Sequence, residues 1–313
     1  MIKTEPITAN YLRLQRLSTE DGPGTRTTIF LKGCTLQCAW CRSPESIARV
    51  ATHIRWLEHF CIGCKTCVLS CPGGCISMED RGLRIDYSRC VLCGKCAEAC
   101  PANALELPWK KIEAQELSEE LLRDKTSFAR SGGGVTFSGG EPALQPEFCI
   151  ALMKILKEQG IHIVLNTCGA VPQENLEMIL PYTDLLLYDL KLMNAEQHKQ
   201  LTGADNERIL ANLLWIADIL RGREYHFTLW IRTPLIPHAT ADKENLQAIA
   251  AFLNQHMENL VERWELRTFN QLRRDQYQAS MSRAKLAACQ LWASQIYHQP
   301  QTVLITGSAR AEE

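Results

Sequence analysis

Residues 27–41 of the chain read TTIFLKGCTLQCAWC, an apolar run followed by three closely spaced cysteines. The first five residues, 27–31, are β-branched or apolar, which predicts a short buried strand that ends at Lys32 and Gly33. The loop after this strand carries the pattern C-x3-C-x2-C, formed by Cys34, Cys38 and Cys41. Three thiolates can hold three irons of a cubane cluster and leave the fourth iron open to a substrate. A zinc site is the alternative, although it would normally need a fourth Cys or His ligand.

A second group of cysteines forms an internal repeat between residues 52 and 108. Each half carries the pattern C-x2-C-x2-C-x3-C-P, and the second half follows 29 residues after the first. In ferredoxins with this pattern, the fourth cysteine of each run binds the cluster of the other run. We therefore predict one [4Fe-4S] cluster on Cys61, Cys64, Cys67 and Cys100, and another on Cys90, Cys93, Cys96 and Cys71. Paired zinc knuckles would not account for the Cys-Pro endings, and Cys75 is interpreted as a bystander.

The bulk composition limits the class of protein. The chain has 313 residues, of which 46% are apolar and 22% charged, and its formal net charge is -1, so no nucleic-acid partner is expected. No apolar run approaches the roughly 20 residues of a membrane span. The first ten residues have neither the basic nor the apolar part of a secretion signal. The cytoplasm is therefore the expected location. Because the cytoplasm is reducing, the fifteen cysteines indicate metal binding rather than disulfides.

Beyond the cysteine repeat, strand-like and helical patterns alternate along the chain. Strands are predicted at 135–138, 161–167, 184–190, 227–232 and 264–269, and helices at 110–130, 146–159, 206–220, 244–260 and 279–297. Buried strands that alternate with helices predict a parallel sheet with helices outside it, either open or curled into a barrel. Reactive groups of barrels lie at the carboxyl ends of the strands. The cysteine loop and the Gly-Gly-Glu-Pro at 139–142 occupy such positions.

Taken together, these motifs resemble those of the radical S-adenosylmethionine superfamily and, within it, the activating enzymes of glycyl radical enzymes. The CxxxCxxC signature has an aromatic residue, Trp40, before its last cysteine. The further matching segments are 18–26 (STEDGPGTR), 131–142 (SGGGVTFSGGEP), 166–169 (NTCG) and 188–191 (YDLK). The resemblance runs from about residue 12 to 277 in the same order. It implies an α/β fold with a partial (β/α)6 barrel, formed by 1–51 and 109–313, and a ferredoxin-like insert at 52–108.

The resemblance also implies an activity. The enzyme would cleave S-adenosylmethionine reductively to a 5′-deoxyadenosyl radical, which removes a Cα hydrogen from a glycine of a partner glycyl radical enzyme. Cys34, Cys38 and Cys41 would bind the catalytic [4Fe-4S] cluster. The two insert clusters would conduct electrons from a flavodoxin- or ferredoxin-type reductant, and an anaerobic or facultative host is expected. The alternatives are a radical enzyme that acts on a small molecule and an iron–sulfur electron carrier.

Residue by residue, the resemblance assigns contacts to S-adenosylmethionine. The residues are Trp40, Gly139, Gly140, Glu141, Thr167, Asp189, Lys191 and Arg232. Gly139, Gly140 and Glu141 would receive the methionine amino group, because carbonyl and carboxylate oxygens accept hydrogen bonds and glycines allow close approach. Asp189 and Lys191, also assigned as catalytic, lie on one side of a strand and would surround the methionine and ribose parts.

Several positions depart from the family pattern. Asn166 stands where an acidic residue is common, so a monovalent cation site beside the cofactor would be weakened or absent. Glu20 and Ser43 replace His and Asn. Residues 268–270 (TFN) with 273–274 (RR) replace a Pro-Tyr-His and Leu-Gly pattern, and Pro237-His238 replaces Pro-Gly. Both changes lie near the expected docking face, so the partner's identity is not inferred from the resemblance. The remaining thiols are expected to be ordinary and buried, with Cys168 in the NTCG turn of most interest; they are Cys149, Cys168 and Cys289.

Overall fold

The computed structural model describes residues 6–47, 54–80, 82–107, 109–268 and 281–307. The chain divides into two compact units. The larger unit contains Met1–Ile47 and Ile112–Glu313, and the smaller unit contains Ala48–Lys111. In the described part of the chain, no helix is both long and apolar enough to cross a membrane.

The elements follow one another regularly along the chain. Within the described residues the strands are β1 (Thr8–Ser18), β2 (Arg26–Leu31), β3 (Arg55–Trp56), β4 (Ile76–Glu79), β5 (Gly82–Ile85), β6 (Leu105–Glu106), β7 (Lys110–Glu113), β8 (Gly134–Gly139), β9 (His162–Thr167), β10 (Leu185–Asp189), β11 (Thr228–Leu235), β12 (Val261–Thr268) and β13 (Val303–Thr306). The α-helices are α1 (Thr66–Leu69), α2 (Lys95–Glu98), α3 (Ala114–Leu122), α4 (Lys125–Ser131), α5 (Pro146–Glu158), α6 (Gln173–Ile179), α7 (Ala195–Thr202), α8 (Glu207–Gly222), α9 (Lys243–His256) and α10 (Arg283–Ile296).

A single mixed sheet organises the larger unit. Its strand order is β13-β12-β11-β10-β9-β8-β2-β1-β7. Strands β2 and β8 to β13 form the parallel part of the sheet, and β1 pairs antiparallel with β2. Helices separate the parallel strands along the chain, as parallel crossovers require. The predicted α/β class with a mostly parallel sheet is confirmed, whereas the closure of the sheet into a six-stranded barrel stays a prediction.

Buried strands explain why the sequence reads as apolar runs. Phe137, Leu165 and Leu186, on three neighbouring strands, have no solvent exposure, and neither do Leu152 of α5 and Leu213 of α8. Each such side chain contributes about 1.5–3 kcal/mol by leaving water. Because the strands are parallel, their carboxyl ends meet at one edge of the sheet, where the loops that follow β2, β8, β9 and β10 come together.

Several stretches differ from the sequence prediction, and α6, α7 and β13 were not predicted at all. The predicted helix at 110–130 begins as strand β7 and then divides into α3 and α4. Residues 110–113 bury only Ile112, and the chain that follows them is fixed by a hydrogen bond from Ala114 N to Ile7 O (3.1 Å), just before β1. Strand β1 was not predicted, because polar and charged residues interrupt its apolar pattern. Pairing with β2, rather than local propensity, makes it a strand.

The smaller unit repeats itself structurally. It contains two antiparallel strand pairs, β3 with β6 and β4 with β5. Helices α1 and α2 begin 29 residues apart, and each follows a residue in the left-handed conformation, Lys65 (φ 61°) and Gly94 (φ 81°). Three cysteines belong to its buried hydrophobic cluster. The buried members of this cluster are Ile54, Cys67, Cys75, Ile76, Cys96 and Leu105.

Candidate functional site

A cavity of about 290 Å³ lies at the carboxyl ends of the parallel strands in the larger unit. The three cysteines of the loop after β2 line it, together with residues that end or follow β8, β9 and β10. Of the residues assigned to cofactor binding, the following line this cavity: Trp40, Gly139, Gly140, Thr167, Asp189, Lys191 and Arg232. Glu141 is not among the lining residues.

Backbone hydrogen bonds to the end of α7 hold the cysteine loop in place. Gln37 N donates to Thr202 O (2.6 Å), and Ala39 N donates to Leu201 O (2.9 Å), at the end of α7. Trp40 is 7% exposed and packs in a hydrophobic cluster with residues after β10 and β11, among them Ile236. The loop is therefore positioned by hydrogen bonds and packing within the chain.

The three thiols of this loop are half-buried. Burial raises the pKa of Cys38 to about 12. A hydrogen bond from the Cys168 thiol lowers the pKa of Cys34. We predicted from the sequence that Cys168 is a buried thiol, and it is buried. It also contacts Cys34 and lines the cavity. In the described part of the chain, no three His, Cys, Asp or Glu side chains are already grouped to hold a single metal ion.

Gly139 and Gly140 allow two segments of the chain to pack closely. Gly139 has φ +115°, and a Cβ at that position would lie 2.2 Å from Leu31 N. A Cβ on Gly140 would lie 1.9 Å from Gly33 O. The close approach that these glycines permit is therefore to β2 and the start of the cysteine loop, within the chain itself.

Glu141 is fully buried and its carboxylate accepts hydrogen bonds from the chain. The donors are Ala143 N (3.1 Å), Thr167 Oγ1 (2.8 Å) and Cys168 N (2.8 Å). Burial raises the pKa of Glu141. The carboxylate thus connects the end of β8 to the end of β9.

Asp189 and Lys191 form a partly buried ion pair beside the cavity. Lys191 Nζ lies 2.7 Å from Asp189 Oδ2, and the lysine side chain is 8% exposed. Burial alone would lower the pKa of Lys191, but the Asp189 carboxylate and the neighbouring thiols outweigh burial and raise it. Lys191 therefore carries its positive charge at neutral pH, held in place by a carboxylate.

Arg232 lies within a network of buried charges. Its guanidinium contacts Asp21 Oδ1 (3.3 Å), Glu265 Oε2 (3.2 Å) and Glu20 O (3.0 Å), and Arg267 also donates to Glu20 O (2.6 Å). Burial alone would lower the pKa of Arg232, but Asp21 and Glu265 outweigh it and raise the value. Sequence reasoning missed the partners on β12. A signal was available, since residues 265 and 267 place two charges on the same face of an apolar strand.

Asn166 provides an unpaired acceptor at the cavity wall. Its Nδ2 donates to Ser138 Oγ (2.9 Å), while its Oδ1 is buried and has no hydrogen-bond partner among the described residues. Both residues line the cavity. A buried acceptor that lacks a donor is costly unless a ligand or water supplies one.

In the smaller unit, the cysteines face two small cavities. One is lined by Cys61, Cys64, Cys67 and Cys100. The other is lined by Cys71, Cys90, Cys93 and Cys96, and Cys75 also faces it. The fourth cysteine of each run therefore shares a cavity with the first three cysteines of the other run.

The positions that depart from the family pattern fall in three places. Glu20, Ser43 and Thr268 line the cavity that also contains the three loop cysteines. His238 lies after β11 with φ +60°, a left-handed conformation that favours glycine. Residues 269–270 and 273–274 lie outside the described residues.

Comparisons with known proteins identify the family. Residues 28–248 match the model of the radical SAM superfamily. The isethionate sulfite-lyase activating enzyme of Desulfovibrio desulfuricans is 38% identical over 248 residues, which cover 78% of each chain. The (2S)-3-sulfopropanediol dehydratase activating enzyme of Klebsiella oxytoca is 36% identical over 271 residues, which cover 85% of this chain and 83% of the relative.

Two further similarities extend the comparison. The choline trimethylamine-lyase activating enzyme of Oleidesulfovibrio alaskensis is 34% identical over 253 residues, which cover 80% of this chain and 79% of the relative. Among solved structures, Streptococcus suis SuiB bound to its precursor peptide SuiA superposes with a TM-score of 0.53 at 13% identity, covering 88% of this chain and 46% of SuiB. At 13% identity the superposition shows a similar fold and nothing more.

Proposed function

The chain belongs to the radical S-adenosylmethionine superfamily and, within it, to the activating enzymes of glycyl radical enzymes, and from this premise we propose how its residues carry out the reaction. When bound, the cysteine-held [4Fe-4S] cluster supplies the electron that cleaves S-adenosylmethionine to methionine and a 5′-deoxyadenosyl radical, which takes a glycine Cα hydrogen from the partner enzyme. The observation that carries the residue assignment is the shared cavity, which three loop cysteines line together with the ends of β8, β9 and β10.

Cys34, Cys38 and Cys41 are the ligands of the catalytic cluster in this proposal. Their half-buried thiols face one cavity, and the loop backbone is already held by α7. This arrangement suits a cluster with three protein ligands and one open iron. The protein's contribution is a fixed loop and a confined space, since the difficult chemistry belongs to the cofactor.

The polar groups of the cavity wall suit S-adenosylmethionine. Gly139 and Gly140 bring backbone groups to the cavity wall, and the unpaired Asn166 Oδ1 is an acceptor for an amino or hydroxyl group. We assign Asp189 and Lys191 to the methionine and ribose parts, where the carboxylate accepts hydrogen bonds and the ammonium pairs with a carboxylate. Trp40, Thr167 and Arg232 shape the wall.

Glu141 is assigned a positioning role rather than a direct contact with the methionine amino group. Both oxygens of its carboxylate already accept hydrogen bonds from the chain, and it does not line the cavity. By holding Thr167 and Cys168 against β8, Glu141 keeps the end of β9 in place for the ligand.

The insert at 52–108 is proposed to hold two further [4Fe-4S] clusters, so that the chain holds three. The support is the grouping of four cysteines around each of two cavities, with the fourth cysteine exchanged between the runs. These clusters would pass electrons to the catalytic site from a flavodoxin- or ferredoxin-type protein.

An anaerobic assay tests the proposed cluster ligands. The chain is reconstituted with iron and sulfide, reduced with dithionite and mixed with S-adenosylmethionine, and 5′-deoxyadenosine is quantified. Cys34→Ala should abolish 5′-deoxyadenosine formation, whereas Cys289→Ala, which changes a buried thiol of α10, should retain it. Equal activity in the two variants would contradict the ligand assignment.

A second arm of this assay tests the substrate class. Adding a glycyl radical protein should increase the yield of 5′-deoxyadenosine and produce a glycyl radical signal in electron paramagnetic resonance. Stimulation by a metabolite without any protein partner would instead support a radical enzyme that acts on a small molecule.

A further inference from the structure

The eighth cysteine of the chain, Cys75, lies against a proposed cluster site. Cys75 Sγ is 3.3 Å from Cys71 Sγ, and its thiol also interacts with Cys90. The residue is 6% exposed and lines the same cavity as Cys71, Cys90, Cys93 and Cys96. Five thiols therefore face a cavity where a [4Fe-4S] cluster needs four.

The internal repeat shows that packing alone does not require this thiol. Residue 104 follows Cys100 as residue 75 follows Cys71, and it is an alanine. Ala104 is 2% exposed, and its backbone N–H donates to Cys100 Sγ (3.2 Å). The residues that follow, Ile76 and Leu105, are both 4% exposed. The two halves thus accommodate a small buried residue at the same place, but only the first half carries a sulfur there.

We propose that Cys75 is a reserve ligand for the cluster that Cys71, Cys90, Cys93 and Cys96 hold. This inference rests on the proposed two-cluster insert. In the exchange, the Cys71 sulfur leaves its iron and takes up a proton, while the Cys75 thiol gives up a proton and its sulfur binds that iron. No electron is transferred, so no oxidant or reductant is needed. Because the two sulfurs are 3.3 Å apart, a small side-chain movement is sufficient.

The other half of the repeat has no such reserve. The cavity that contains Cys100 is lined by the four predicted ligands. Ala104 also lines it and occupies the position that is equivalent to Cys75 in the first half of the repeat. Loss of Cys71 and loss of Cys100 should therefore have different consequences, although the two cysteines occupy equivalent positions in the pattern.

The experiment uses the full chain in which Cys34, Cys38 and Cys41 are replaced by alanine, so that iron content reports the insert. After anaerobic reconstitution, this parent should bind about eight irons per chain, the content of two [4Fe-4S] clusters. Iron analysis is combined with electron paramagnetic resonance, which detects the three-iron cluster left when one ligand is missing. Substantially fewer irons in the parent would overturn the two-cluster assignment itself, before any variant is compared.

In this parent, Cys71→Ala should retain about eight irons without a three-iron signal. Cys100→Ala, and the double variant Cys71→Ala/Cys75→Ala, should each lose iron or show the three-iron signal. Cys75→Ala alone should retain about eight irons, because Cys71 is the resident ligand. If Cys71→Ala loses as much iron as the double variant, or if Cys75→Ala alone loses it, the reserve role is wrong.

A transplant tests the same geometry without changing Cys71. Cys100→Ala/Ala104→Cys should recover the iron lost in Cys100→Ala. Should Cys71→Ala fail to fold, this pair decides the matter alone: recovery supports the reserve ligand, and no recovery overturns it.

Discussion

Glu141 illustrates, at the scale of a single residue, how a family motif residue can act without lining the site. Its carboxylate accepts hydrogen bonds from Ala143 N, Thr167 Oγ1 and Cys168 N. All three partners are donors, so the site requires acceptors on both oxygens of the side chain. An amide of the same shape offers one acceptor and a donor group.

We therefore expect Glu141→Gln to destabilise the protein by about 1–3 kcal/mol, because a buried donor loses its acceptor. The measurement is the midpoint of thermal unfolding, recorded anaerobically on the cluster-loaded protein. Glu158→Gln, on the exposed end of α5, is the matched control. A shift in Glu141→Gln no larger than in this control would show that the hydrogen bonds contribute little.

His162 should make stability depend on pH. The residue begins β9, and its Nδ1 is buried without a hydrogen-bond partner in the described structure. Burial, followed by the nearby Arg26, lowers its pKa. Since the unfolded chain binds the proton more readily, stability is complete above about pH 6.5 and falls as the pH drops through that value.

His162→Gln should reduce the loss of stability between about pH 7.5 and 5.5, a range that spans the ordinary histidine pKa. The unfolding midpoint of the parent and the variant is compared at both pH values. Replacement of the exposed His298 by Gln serves as the control. An unchanged pH dependence in His162→Gln would locate the titrating group elsewhere.

At the scale of elements, loops after the parallel strands carry most of the functional groups, and one of these loops contains backbone strain. His238 lies after β11 with φ +60°, a left-handed conformation that favours glycine. An L residue in this conformation costs roughly 1–2 kcal/mol. The next residues are fixed, since Ala239 N and Ala241 N both donate to Ile236 O.

His238→Gly should therefore raise the unfolding midpoint by a few degrees, whereas His238→Ala, which keeps the Cβ, should not. For a chain of this size, about 1 kcal/mol corresponds to roughly 2–4 °C. Calorimetry of both variants measures the difference. Equal midpoints for glycine and alanine would mean that the strain is relieved by other contacts.

Another element-scale feature is the connection between the turn after β1 and the last parallel strands. Asp21, in the Asp-Gly-Pro-Gly segment, contacts Arg232 of β11, and Arg232 also contacts Glu265 of β12. These residues are more than 200 positions from the turn along the chain. Charges that look solvated in the sequence are therefore paired and buried in the fold, where they complete the wall of the cavity.

At the scale of the whole molecule, we propose a different kind of iron chemistry for each of the two units. The larger unit provides a cavity at the edge of a parallel sheet, and the smaller unit provides two groups of four cysteines. The proposed division is that the first unit performs the cleavage and the second delivers electrons. The two roles can be separated by the choice of reductant.

Replacing one insert ligand of each run, Cys64→Ala/Cys93→Ala, should lower 5′-deoxyadenosine formation at least tenfold when a reduced flavodoxin is the electron donor. With dithionite, a small reductant that can reach the catalytic cluster directly, most of the activity should remain. Single-turnover assays with each donor measure the ratio. Equal losses with both donors would show that the insert stabilises the enzyme rather than conducting electrons.

The family and the reaction could be predicted from the sequence, because they depend on short motifs whose order and spacing can be read directly from it. The CxxxCxxC loop and the Gly-Gly-Glu-Pro turn each lie within a few residues of chain, and each run of the repeated cysteine pattern lies within twelve. The comparisons confirm the family. The parallel α/β fold was also predictable, since buried parallel strands require continuous apolar runs.

Other features required the tertiary structure, because they depend on contacts between distant segments. The pairing of β1 with β2, the contact of Cys168 with Cys34, and the partners of Arg232 join residues with no local signal. The same holds for the internal hydrogen bonds of Glu141. A sequence specifies which chemical groups are present, whereas packing determines which of them meet and which are buried, because hydrogen bonds and charge pairs depend on distances that only the folded chain defines.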